Sequence, residues 1–194
     1  MNARITTATR TIGATLLALF VLAPNHPSAQ AGQEKYRGFT INTNQGGART
    51  STAEFAIDKW TSDEDREKLL SIITEFKDPT APLLKALQDQ ESIGYIRTTD
   101  TLRWELRYAH QSPLPDGGRR VVIATDRPIG FAESRYNART MEYPFTIVEI
   151  HFDKSGEGEG KILAGTKIYV ENKVLQLENY GLQPIRFNKI KKVD

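Results

Sequence analysis

Few residues in this chain could carry catalysis, and the first to test are the imidazoles. Of three histidines, His26 falls in a leader-like segment, which leaves His110 and His151 as bases near neutral pH. His151 shares a strand face with Glu149 and Ile147, so a Glu–His pair is conceivable there. Neither histidine belongs to a motif, and no G-x-S-x-G elbow presents a serine to them. Side chains flanking a sheet in this way read first as surface groups. The 24 acidic residues are too many for spacing alone to single out a glycosidase-type pair.

Metal chemistry has one partial candidate. Asp153-Lys-Ser-Gly-Glu-Gly-Glu-Gly160 alternates oxygen side chains and places a glycine sixth, as an EF-hand loop does. The twelfth position, where a bidentate Glu should complete the shell, is Ala164, and no helical pattern flanks the loop. The segment therefore reads as a glycine-rich hairpin turn with solvated acids. Without cysteine or a histidine cluster, the sequence offers no zinc or redox-metal set, and no cofactor fingerprint occurs.

The strongest compositional signal is arginine. From Arg97 to Arg139 every basic residue is Arg: 97, 103, 107, 119, 120, 127, 135 and 139. A guanidinium can grip a carboxylate or phosphate with two parallel hydrogen bonds, which an ammonium cannot. The long irregular stretch between Asp126 and Pro144 carries Arg127, Arg135, Tyr136 and Arg139. If these converge, they form a ligand-binding site for a small anionic molecule. The competing reading makes the arginines cross-strand and loop-to-sheet partners of nearby acids.

These residues must be positioned by strands. Leu102, Trp104, Leu106 and Tyr108 alternate with polar neighbours, then Gln111 to Gly118 turns the chain, and Val121 to Ala124 starts a second strand. The pair reads as a central β-hairpin. Upstream, Tyr36, Phe39 and Ile41 mark a short strand, and Ala53, Phe55 and Ile57 a clearer one. At Thr61-Ser-Asp-Glu64 the period changes to that of a helix, with a capping residue and first-turn acids, and Asp78-Pro79 stops it. A shorter helix follows from about Ala81 to Leu87. Downstream, Val148, Ile150 and Phe152 line one face of a strand whose other face carries Phe145 and Ile147, so the helical insert or the long loop should cover it. Ser92 to Thr98 marks a strand before the hairpin; after Gly160, Ile162 to Val170, Leu175 to Leu177 and, past Gly181 and Pro184, Ile185 to Phe187 read as further strands, and Lys189 to Asp194 reads as a charged edge or tail.

The fold expected is mainly β: an antiparallel meander of eight or nine strands forming a barrel-like or sandwich domain, with a two-helix insert near residues 62–88. A barrel interior would be lined by Phe55, Ile57, Trp104, Leu106, Tyr108, Ile123, Val148, Ile150, Ile168 and Leu177. Should these fill it, the core is solid; a cavity would open beside the 127–143 loop.

Residues 1–31 read as a secretory signal peptide. Arg4 and Arg10 lead an apolar run from Ile12 to Ala23, and Ala29-Gln30-Ala31 gives a cleavage site, so the mature chain would begin at Gly32, periplasmic or secreted. The run is short for a membrane span and precedes Pro24, so no membrane anchor is expected in the mature form. Residues 8–23 should form a helix or a loose tail with few contacts to the rest. Residues 32–194 would form a single domain. Arg4 and Arg10 account for two of the 26 basic residues, leaving 24 against 24 acidic. A neutral chain has little attraction for phosphate backbones, so nucleic acid is not an expected partner.

The stretch Ile96-Arg-Thr-Thr-Asp-Thr-Leu-Arg-Trp-Glu-Leu-Arg-Tyr-Ala-His110, with Pro144-Phe-Thr-Ile-Val-Glu149 and the Asp153 turn, resembles a family of uncharacterised exported bacterial proteins. The resemblance covers about the last hundred residues. It implies a bacterial source and export, and it carries no activity or site residue. The scarcity of catalytic residue types favours a non-enzymatic module binding a small anionic or amphipathic ligand. The alternatives are a hydrolase of unknown substrate and a purely structural or protein-interaction domain.

Overall fold

A computed structural model describes residues 33–44, 47–99, 102–129, 142–171, 174–179 and 183–193. The stretch 8–23, for which a helix or loose tail is expected, lies outside the described residues. In chain order the elements are β1 (Glu34–Asn42), β2 (Arg49–Ile57), α1 (Asp63–Glu75), α2 (Thr80–Gln88), β3 (Gly94–Thr98), β4 (Trp104–Glu105), β5 (Tyr108–Pro113), β6 (Arg119–Thr125), β7 (Phe145–Phe152), β8 (Gly158–Glu171), β9 (Val174–Asn179) and β10 (Ile185–Val193). The strands form one antiparallel sheet in the order β4-β3-β2-β1-β10-β8-β7-β6-β5, with β9 pairing the far end of β8. The sheet curls into a half-barrel, the barrel-like form of the fold expected from sequence.

Curling explains why the central alternation does not form one strand. Leu106 donates its N–H to Gly94 O at the foot of β3 (2.9 Å), and the next residue, Arg107, donates to Ala124 O on β6 (2.9 Å). The chain thus steps from one sheet edge to the other between two residues, and the two edges meet there. Tyr108 then faces outward, and Leu102 is 78% exposed. The strand after this crossing also runs further than the sequence suggests, through Ser112 and Pro113 opposite Arg120 and Arg119. Proline is tolerated because β5 is an edge in the ladder and no partner there requires its missing N–H.

The concave face holds the core. Tyr36 stacks on Phe55 with ring centroids 4.8 Å apart, Phe152 lies 5.2 Å from Tyr36, and Phe187 meets Phe55 edge-on at 6.2 Å. Ile57, Ile96, Leu106, Ile123, Val148 and Ile150 complete the cluster, with Trp104 packed at its side. β8 passes so close to β7 that it carries Gly158 under the Phe152 ring and Gly160 against the backbone of Glu149 and Ile150. A Cβ on Gly158 would sit 2.7 Å from the Phe152 ring, and one on Gly160 2.4 Å from Glu149 O. These two glycines therefore belong to the strand, and the turn itself is Asp153 to Glu157. Buried side chains from β1, β2, β3, β5, β6, β7, β8 and β10 line this interior.

A second cluster lies on the convex side. Leu69 from α1 and Leu83 and Leu87 from α2 pack on Phe145 and Ile168, with Ile147 and Tyr108 alongside. Tyr108 and Ile168 thus belong under the helices and not inside the barrel, and Leu177 is 45% exposed on β9. The helical insert covers the second face of β7. Its docking is fixed by Thr80 Oγ1 donating to Ile168 O (3.2 Å, buried) and by the Lys167–Asp78 ion pair (3.0 Å). α1 starts where the period changes: Ser62 Oγ accepts from Asp65 N at 3.1 Å, with Asp63, Glu64 and Asp65 in the first turn, an arrangement that satisfies an orphan donor and suits the positive helix end.

The C-terminal residues correct the sequence reading. Of the charged edge or tail expected from sequence, Lys189 to Val193 is not a tail but the second half of β10: Ile190 is fully buried opposite Gly158 of β8, and Lys191 to Val193 pair with β1 alone among the described strands, a charged edge. Phe187 and Ile190 both face inward although three residues apart, because Lys189 takes a left-handed conformation (φ 52°) in a bulge that breaks the register with both neighbours. A bulge inserts one extra residue and so disrupts the two-residue period.

Candidate functional site

The two histidines come to the convex face of β5, β6 and β7. His110 lies opposite Val122, which lies opposite Glu149, and Ser112, Arg120 and His151 form the next such row. The Glu–His pair conceivable from sequence forms: His151 Nε2 is 3.2 Å from Glu149 Oε1, and Arg120 reaches the same oxygen at 3.8 Å. His110 stacks on Tyr108 with centroids 6.4 Å apart. Burial lowers its pKa, Arg66 and Arg120 lower it further, and Asp63 opposes them. Ser112 stands two strand spacings from His151, roughly 10 Å. Among the described residues neither histidine bonds a hydroxyl, and no three His, Asp or Glu side chains converge as a metal set. The arrangement is a set of solvated charge pairs without a nucleophile beside a base.

The arginines resolve into two groups. Arg97 bonds Glu54, Arg107 bonds Asp126 at 3.3 Å and Gln90 O at 2.8 Å, and Arg120 pairs with Glu149. Arg119 closes one end of the barrel: it donates to Gln111 Oε1 (2.7 Å) and the Tyr36 hydroxyl, and lies 4.9 Å over the Phe152 ring. Burial and a hydrogen bond to Glu34 push the Tyr36 phenol up to about 12, so it stays a proton donor. These pairings are the cross-strand reading. Of the loop group, Arg127 is exposed, and its carbonyl accepts from the Thr146 hydroxyl at 3.3 Å. That hydroxyl also accepts from Ile129 N at 2.6 Å, which roots the loop. Arg135, Tyr136 and Arg139 lie outside the described residues.

The feature that sequence reasoning missed is centred on Glu54. Its neighbours Phe55 and Ala53 face the core, so Glu54 must point to the convex side, yet it is only 4% exposed. What covers it is a row of charges across four strands: Arg97 on β3, Glu54 on β2, Arg37 on β1 and Lys191 on β10 stand opposite one another in register. Arg37 NH2 reaches Glu54 Oε2 at 2.9 Å, Arg97 NH2 reaches Oε1 at 2.9 Å, Lys35 Nζ approaches at 3.4 Å, and Tyr95 Oη donates at 2.9 Å. Arg103 lies 4.0 Å over the Tyr95 ring and pairs with Glu105 at 3.6 Å.

The electrostatics of this cluster are lopsided. Burial alone would raise the Glu54 pKa, but hydrogen bonds from Arg37 and Tyr95 and the charges of Arg97 and Lys35 outweigh it and hold the carboxyl at about 2. One carboxylate at the base thus organises three cations. The side chains of Arg37, Arg97 and Arg103 remain about half exposed, at 54%, 51% and 53%. A sequence signal existed: Lys35 and Arg37 alternate with the inward Tyr36, and Glu54 alternates with the inward Phe55, so a β1–β2 hairpin puts all three charges on one face.

The Asp153 turn is closed by its own bonds and tied to β10 by the Lys191–Glu157 ion pair at 2.8 Å. Asp153 Oδ1 accepts from Ser155 N (2.8 Å), Ser155 Oγ (2.7 Å) and Glu157 N (3.0 Å), and these bonds lower its pKa. Comparison of the chain with family models, curated proteins and solved structures finds no match.

Proposed function

We propose that the protein is an exported, non-catalytic binding domain that holds an anionic partner on the convex face of β1, β2 and β3. Export rests on the Arg4 and Arg10 leader, the apolar run and Ala29-Gln30-Ala31. The observation that carries the binding reading is the Glu54 cluster: Lys35, Arg37 and Arg97 are held in place by one buried carboxylate. A guanidinium already immobilised by a buried partner loses less side-chain entropy on gripping an anion, which is the gain from preorganisation.

The test uses dextran sulfate as a soluble polyanion. At low ionic strength the protein should bind it, and added salt should release it. The double variant Arg37→Gln with Arg103→Gln leaves Lys35, Arg97 and Tyr95 on Glu54, so the fold should persist. Its affinity should fall at least about tenfold, or about 1.4 kcal/mol. Equal affinity of wild type and double variant would reject this face as the site.

A further inference from the structure

The cationic face also carries an unshielded aromatic ring. Along β1 the outward positions are Lys35, Arg37, Phe39 and Ile41, because Tyr36, Gly38 and Thr40 are buried on the other side. Phe39 is 55% exposed. Its register partners are Thr52 on β2 and Asn188 on β10, short polar side chains that do not cover a phenyl ring. A lone exposed apolar residue is ordinary, but this one stands two positions from Arg37, beside the row of charges over Glu54.

The shape of the surface limits what can bind it. Small ligands are bound in concave sites that enclose most of their surface, whereas this face is the convex side of a curled sheet. A convex patch with cations and one projecting ring matches a broad, soft anionic layer that the ring can enter. Glu54, the carboxylate nearest these cations, lies beneath them, and Glu105 is engaged by Arg103 and Ser92. Glu157 pairs with Lys191 at 2.8 Å, so the acids beside these cations are engaged while Arg37, Arg97 and Arg103 stay half exposed.

We propose that the partner is an anionic lipid surface, with Lys35, Arg37, Arg97 and Arg103 facing the lipid phosphates and Phe39 entering the boundary between headgroups and acyl chains. This rests on the binding reading above and names its partner. Each cation held near an anionic bilayer strengthens binding by about fivefold, and the contact is strongest at low salt. The ring adds an apolar contribution that salt does not screen.

The experiment is sedimentation with vesicles of phosphatidylcholine alone and of phosphatidylcholine with about a quarter phosphatidylglycerol, with dextran sulfate binding measured in parallel. Wild type should sediment with the anionic vesicles and not with the neutral ones. Phe39→Ser should weaken vesicle binding about tenfold yet bind dextran sulfate as wild type does, which also shows that it is folded. Arg37→Gln should weaken both. Wild type that binds dextran sulfate but shows no preference for anionic vesicles overturns the lipid proposal and leaves the anionic-partner reading standing, with a soluble anion or an acidic protein as the partner. Phe39→Ser sedimenting like wild type also overturns the lipid proposal. Binding to neither probe overturns both readings.

Discussion

Replacing Glu54 with Gln tests the electrostatic core of this account. The carboxyl is held at about 2, down from an ordinary 4.5. In the folded protein it therefore stays ionised after its unfolded counterpart has taken up a proton. At about 1.4 kcal/mol per pH unit, the difference corresponds to about 3 kcal/mol of stability at neutral pH. Removing one member of a buried ion pair costs about 3–5 kcal/mol when the other charge stays buried. Here the Arg37 and Arg97 side chains are half exposed and can regain water, so the expected loss for Glu54→Gln is about 2–3 kcal/mol. The sign with pH follows from the lowered value. Glu54's contribution is fully present above about pH 4.5 and is lost as pH falls from there through about 2. Urea unfolding of wild type and variant at pH 7, and at steps from about pH 5 to about pH 2, reads both effects. The two stabilities should converge as the pH drops. A variant within about 0.5 kcal/mol of wild type at pH 7, or a gap that stays constant into acid, would refute the reasoning.

Four other outcomes follow from the fold. His110 has a lowered pKa, so acidification protonates the unfolded chain first, and stability should decline as pH falls below about 6.5; His110→Gln should flatten the fall in melting temperature between about pH 7.5 and about pH 5.5. Gly38→Ala would bring a Cβ to 2.7 Å from Asn188 O and 2.9 Å from the Phe187 ring, and should cost about 1–3 kcal/mol in urea unfolding. Leu87→Ala, which removes a buried contact between α2 and the sheet, should cost about 2–4 kcal/mol. Ending the chain at Asn188 removes buried Ile190 and the second half of β10, and circular dichroism should show loss of cooperative unfolding, whereas a dispensable tail would leave the melt unchanged.

The sequence made the strands legible where a strict two-residue period met one buried face, as in Ala53-Phe55-Ile57 and Val148-Ile150-Phe152. It also marked both helices, because Ser62 and Asp78-Pro79 are local signals. It failed where geometry depends on distant chain. The run from Leu102 to Tyr108 alternates without a break, yet Leu106 and Arg107 bond opposite edges of the sheet, and no local pattern records that a sheet has curled. The Lys189 bulge sets Phe187 and Ile190 three apart and so hid that the last strand continues inward past Asn188 before it becomes a charged edge. For the site, arginine counting drew attention to residues 97–139 and away from Lys35 and Arg37. Their importance appears only when β1 and β2 are paired and Glu54 is seen to be trapped between them.

The central claim is that recognition takes place on the convex face over Glu54. It is tested most directly by mapping where a short dextran sulfate oligomer perturbs backbone amide resonances of the isotope-labelled protein. The account predicts shifts concentrated at 35–41, 52–54 and 95–97, which weaken together as salt is added. Shifts confined to 126–129 and 142–146 would instead place the anion at the roots of the loop that carries Arg127, Arg135, Tyr136 and Arg139, and would contradict it.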